Sequence, residues 1–154
     1  METDTDLRWA AIIVWIVVNA VNLLQSAGFI SRIVTGDMVF NHRVGYVIIT
    51  LVIPSTISLI AFVRSGAGWL QWAGPASFLA FVVLMLSVDY VWVVEFRSPT
   101  RYNIVVPYLV LFFGSILLMG LPMFKLNRSL WLVTVTTTVF LLGSMVQALR
   151  KGIV

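Results

Sequence analysis

Asp89 is the acidic residue of this 154-residue chain that falls inside an apolar run. The surrounding stretch reads Asp89-Tyr90-Val91-Trp92-Val93-Val94-Glu95-Phe96-Arg97, then Ser98-Pro99-Thr100-Arg101. With the hydrocarbon part of the run ending near Val94, Asp89 lies about five residues, or roughly 8 Å, inside the helix end. A short carboxylate at that depth must be protonated, paired with an arginine or amide, or set in a wet cavity. Arg97 is too far along the helix for an i, i+4 pair, whereas Arg101 can fold back after the Ser98-Pro99 turn. Asp89 and Glu95 stand about 240° apart on a helix, so this element does not itself present a carboxylate pair for acid–base work. Tyr90 and Arg97 share a face, and Trp92, Tyr102 and Tyr108 fit an aromatic belt at the headgroup level. The site expected here comprises Asp89, Tyr90, Trp92, Glu95, Arg97 and Arg101, and would bind a ligand, couple protons or hold a lipid headgroup.

A second polar group precedes it. Asn19, Asn22 and Ser26 follow the i, i+3, i+7 rule and share a helix face, with Gln25 close by. Amides on such a helix either hydrogen-bond to a neighbouring helix or line a polar pocket. Thr134, Thr137 and Thr138 also share a face, but threonine can bond its own helix carbonyls, so these read as packing positions. Gly114-Ser115 and Gly143-Ser144 are expected at close helix approaches.

Other chemistry is bounded by absence. There is no cysteine, which removes disulfides, thiolate metal sites and thiol redox chemistry. The single histidine, His42, excludes bis-histidine haem ligation or a multi-histidine metal site within the chain. His42 with Asp37 is the remaining metal-binding pair, in what reads as a loop, where histidine is ordinarily inert. The sequence names no cofactor. Asn127-Arg128-Ser129 matches the glycosylation pattern, but sits in a tight hairpin and reads as chance.

The elements that must position these residues are helices in lipid. Sixty per cent of the chain is hydrophobic and 10% charged, with a mean hydropathy of +1.03. An average soluble domain carries about 25% charge, so water is excluded as the solvent. The ten Lys and Arg give a net charge of +4 but are scattered, which excludes a basic nucleic-acid face. The acidic N-terminus, Met1 to Asp6, lacks the basic start of a signal peptide. Five apolar runs, about 9–30, 44–63, 70–96, 104–124 and 129–149, are each long enough to cross a bilayer. They predict an all-α bundle of five transmembrane helices in a single domain.

The expected links are short: Arg64 to Gly68, Lys125 to Arg128, and a longest loop from Ser31 to Arg43. Pro75 and Pro107 are expected in first turns and Pro122 near a helix end. Pro54, at the middle of the second span, predicts a kink, with Ser55 and Thr56 hydroxyls serving the freed carbonyls. One side of a five-span bundle holds Arg8, Arg64, Lys125 and Arg128. The other holds Arg32, Arg43, Arg97, Arg101, Arg150 and Lys151, so the basic bias places the N-terminus outside and the C-terminus in the cytoplasm.

Three function classes fit. The first is a small integral membrane protein that binds or translocates a small or lipophilic ligand near Asp89. The second is a non-catalytic subunit of a larger membrane complex or homo-oligomer, partnered by the bilayer and other membrane chains. The third is a lipid-modifying enzyme working through Asp89, Glu95 and Arg97.

Overall fold

The structure is a computed structural model describing residues 7–36, 39–94 and 101–152. Among these residues it is helical throughout, with no strand: α1 (Arg8–Thr35), α2 (Val39–Thr50), α3 (Val52–Arg64), α4 (Trp69–Met85), a π-helical turn (Leu86–Val91), α5 (Tyr102–Leu126) and α6 (Arg128–Arg150). These make five helices long and apolar enough to cross a membrane: Arg8–Thr35, Val39–Arg64, Trp69–Val91, Tyr102–Leu126 and Arg128–Arg150.

Each span ends for a local reason. Asn127 is the N-cap of α6, its Oδ1 accepting from the amides of Ser129 (2.9 Å) and Leu130 (3.3 Å). This capping satisfies donors that a helix start leaves orphaned, and it gives the asparagine of the glycosylation-like triplet a structural task. The second span breaks at Leu51, between α2 and α3. Pro54 has no N–H to offer the Thr50 carbonyl, and its ring crowds that carbonyl. The Leu51 amide instead bonds Ile48 O at 3.1 Å, a tighter i→i−3 contact. The neighbouring hydroxyls do not repair the gap as the sequence suggests. Thr50 donates to Val47 O and Ser58 to Pro54 O, while the buried Ser55 Oγ has no hydrogen-bond partner.

The third span closes at Val91 rather than Phe96, so Asp89 stands in its last turn. Ser87 Oγ donates to Val83 O (2.8 Å) where the backbone widens from α to π spacing. The Trp92 amide bonds Ser87 O and the Val94 amide bonds Val88 O, both at 2.9 Å. Between them Val93 takes φ 46°, so the span ends in a left-handed cap built on a β-branched residue.

Three further expectations change. The 13-residue loop largely vanishes, because α1 continues to Thr35 and helix has resumed by Val39. Polar turns beyond the apolar stretch still have helical neighbours to pack on, so low hydropathy did not end the helix. For the same reason α5 starts at Tyr102, and Pro107, like Pro75 in α4, stands a turn further inside its helix than expected. Gly114 and Gly143 meet nothing within 4 Å, while their neighbours Ser115 and Ser144 are buried. Successive helical side chains point about 100° apart, so only one of each pair can face the bundle. The tight approach lies at Gly74, where a Cβ would come within 2.8 Å of the Met119 backbone, pressing α4 onto α5.

Packing is most extensive between α4 and α5 and between α1 and α6. Helix α1 also meets α2, α3 and α5, which makes it the central element. The core runs from Val17, Val18 and Val21 of α1 across Phe78 and Phe81 of α4 to Ile116 and Met119 of α5. A chain of rings, Phe78–Phe81–Phe112–Phe113, with centroids 5.0–6.5 Å apart, fills one side of it.

Candidate functional site: a polar cavity at one end of the bundle

The polar residues along these apolar helices separate into two groups. The first is the stripe on α1, which meets the threonine face of α6. Asn19 Nδ2 donates to Trp15 O (2.7 Å) and Thr134 Oγ1 (3.1 Å), and Asn19 Oδ1 accepts from Thr137 Oγ1 (2.8 Å). Asn22 Nδ2 donates to Thr137 and Thr138, both at 3.0 Å. The threonines reach their own helix carbonyls as well: Thr138 donates to Thr134 O, which is also the alternative acceptor for the single Thr137 hydroxyl proton. Trp15 Nε1 donates to Leu130 O at 2.8 Å, extending the seam toward the start of α6. Ser26 Oγ returns to Asn22 O at 2.7 Å. Asn22 Oδ1 is buried with no hydrogen-bond partner.

The second group surrounds a cavity of about 200 Å³ where the ends of spans one and three meet the starts of spans two and four. Helix α1 contributes Gln25 and Arg32, and α2 contributes Asn41, His42 and Gly45. The third span adds Met85, Asp89 and Tyr90, and α5 adds Tyr108. Tyr108 donates its hydroxyl to Asp89 Oδ2 at 3.1 Å. Tyr90 donates to the His42 carbonyl at 3.1 Å, and its ring packs against His42 and Tyr46, each at 5.3 Å. Gly45 makes this closure feasible, since a Cβ there would overlap the Tyr90 hydroxyl. Phe81 supports the Tyr108 ring edge-on at 5.2 Å, joining the cavity wall to the aromatic core.

Arg32 is the least expected member. It lies in the last turn of α1, not in a loop, and is only 6% exposed. Its guanidinium stands 5.7 Å over the Phe29 ring. With the Asn41 amide oriented to satisfy both of its ends, Oδ1 accepts from Arg32 Nε at 2.6 Å and from Nη2, and Nδ2 donates to Gly28 O at 3.0 Å. A permanently charged group is thereby held in the cavity wall by two helices.

The structure therefore brings Asp89 and Tyr90 together, and adds partners from three other spans. Trp92 and Arg101 are exposed and do not line the cavity. Asn19 and Asn22 belong to the separate α1–α6 seam, and Pro54 lies at the break of the second span. Glu95, Arg97 and Asp37 fall outside the described residues. Among those described, no group of three His, Asp or Glu side chains could hold a metal ion. Arg32 could have been found from its spacing, since Gln25 and Arg32 are i, i+7 on one face with Gly28 between them. Asn41 and Gly45 carried no comparable signal. Comparison with protein-family models, curated proteins and solved structures finds no match.

Proposed function

We propose that this chain is an integral membrane protein that binds a small polar ligand in the Asp89 cavity. The observation that carries the reading is the convergence of Asp89, Arg32, Tyr90 and Tyr108 from three spans on one cavity. Intramembrane ionisable groups are costly, and where they face a shared cavity they ordinarily mark a ligand or ion site. The packed rings of Phe81 and Phe112 beside Tyr108 support a pocket that ends at the core over passage through the bundle.

The basic-residue bias supports an N-terminus outside and a C-terminus in the cytoplasm. In that orientation the cavity opens at the cytoplasmic face, where the first and third loops lie. The cysteine-free sequence makes this easy to test. An impermeant maleimide applied to whole cells labels Ser65→Cys and not Thr35→Cys; the opposite pattern inverts the topology.

The binding reading is tested by native mass spectrometry of the full chain ejected from lipid nanodiscs. Wild type carries a small non-lipid adduct that Asp89→Asn loses while keeping its fold. An adduct equally abundant in both removes Asp89 from the site.

A further inference from the structure

The second span is built in two halves, and they are anchored differently. Helix α3 packs on both α1 and α4, whereas α2 packs on α1 and makes only slight contact with the rest of the bundle. We propose that α2 is a hinged flap over the cavity, turning about the Leu51–Pro54 break and held shut by two side-chain latches, Asn41 and Tyr90. The motion belongs to the fold whether or not a ligand binds, so it stands apart from the binding reading above.

The hinge follows from the broken ladder. The Leu51 amide bonds Ile48 O (3.1 Å) and the Ser55 amide bonds Leu51 O (3.2 Å). Both bonds end on Leu51, the one residue between the two helices. The hydroxyls on either side bond within their own half, Thr50 to Val47 O and Ser58 to Pro54 O. The buried Ser55 hydroxyl has no hydrogen-bond partner and does not brace the break. Proline positions of this kind are where helices bend sharply.

The outer end of α2 is fastened by side-chain tips seated on glycines. On one side Asn41 donates to Gly28 O (3.0 Å) and accepts from Arg32, and a Cβ at Gly28 would overlap its amide. On the other side Tyr90 donates to His42 O (3.1 Å), with its hydroxyl resting against Gly45. Tyr90 itself stands on the π turn, so the ladder is irregular on that side as well. Only Val44, Gly45 and Ile48 of α2 are buried, and a helix with few buried apolar side chains opens more readily than a fully packed one. Asn41, His42, Gly45 and Tyr90 all line the cavity, so releasing the latches widens it. Eleven residues separate Phe40 from Leu51. At 1.5 Å rise per residue, a bend of about 20° at Leu51 carries the outer end of α2 by roughly 6 Å.

The test is the distance between two nitroxide labels, read by double electron–electron resonance on the full chain in lipid nanodiscs. The sequence has no cysteine, so labels attach only where one is introduced. The first pair joins exposed Phe40 on α2 to exposed Val139 on α6, a helix that packs on α1 and α5. The control pair joins exposed Ile57 on α3 to the same Val139. Tyr90→Phe lacks the latch hydroxyl. In that variant the first pair is expected to gain a second distance, displaced by about the calculated swing and populated severalfold above wild type. The control pair stays as in wild type. Adding Pro54→Ala restores an amide for Thr50 O and should suppress the displaced population. Should Tyr90→Phe fail to fold, Asn41→Ala releases the other latch and is read in the same way. An unchanged first-pair distance in both latch variants overturns the flap. A displaced population that survives Pro54→Ala overturns the hinge, and equal movement of the control pair overturns both by showing that the whole bundle loosens. The adduct that tests ligand binding is a separate readout, so the two claims can fail independently.

Discussion

The α1–α6 seam and the Asp89 cavity use similar residue types to opposite ends. In the seam, each Asn donor faces a threonine hydroxyl or a backbone carbonyl, and these bonds join α1 directly to α6. Neutral amides and hydroxyls of matching size can satisfy each other, and the result is adhesion between helices. The cavity lining includes the charged Arg32 and Asp89 and the rings of His42, Tyr90 and Tyr108, comes from four spans, and surrounds space instead of filling it. Polar side chains in these helices thus divide by what they meet: in the seam neutral groups of two helices meet directly, with Asn22 Oδ1 left unpartnered, and at the cavity hydrogen-bonded side chains border open space.

Four substitutions sharpen or break that division. The largest effect is expected for Arg32→Ala, which leaves the Asn41 oxygen without its charged donor and removes the contact over Phe29. Hydrogen bonds to charged groups are worth about 1.5–3 kcal/mol, so reversible unfolding in detergent should show a loss of about 3 kcal/mol together with loss of ligand. Gly45→Val comes next. Its side chain collides with the Tyr90 hydroxyl, and overpacking of this kind costs about 2 kcal/mol. Binding should fall with it, because Tyr90 must leave the wall; binding at wild-type strength would show that Tyr90 is not part of the site.

Asn19→Leu should cost about 1 kcal/mol, in the range of interhelical hydrogen bonds in membranes, with ligand affinity unchanged. A double-mutant cycle with Thr137→Val should recover a coupling of about 0.6 kcal/mol or more, and a coupling of zero would show that the seam is not held by this pair. The smallest effect is expected at the end of the third span. Val93→Gly relieves a left-handed β-branched residue and should raise stability by about 1 kcal/mol. A rise in stability accompanied by weaker binding would mean that the strained cap helps to hold Asp89 in place.

The residues differ in how much of this could be read from the chain alone. The five apolar runs were legible, because length and hydropathy are local properties. Both polar stripes of the seam were legible as helix faces, from Asn19 and Asn22 on one side and Thr134, Thr137 and Thr138 on the other. Their pairing was not, since nothing local says that α1 packs on α6. Asp89 was conspicuous because a charge in an apolar run is rare. Arg32 was not, because an arginine after an apolar run reads as an ordinary helix end. In the structure α2 resumes helix early and sets Asn41 against it. Gly45 matters through one contact with Tyr90, forty-five residues away in sequence, and no spacing rule reports that. The π turn and the Val93 cap were equally invisible, since Leu86 to Val93 reads as plain helix up to the interface.

The claim that the cavity is a site and the seam is an adhesive is tested most directly by one crossed measurement. Asp89→Asn and Asn19→Leu are prepared side by side in nanodiscs, and retained adduct and unfolding midpoint are read on each. The account predicts that Asp89→Asn loses the adduct and keeps its midpoint close to wild type, while Asn19→Leu keeps the adduct and unfolds more easily. The reverse pattern, or the same response from both variants, would contradict it.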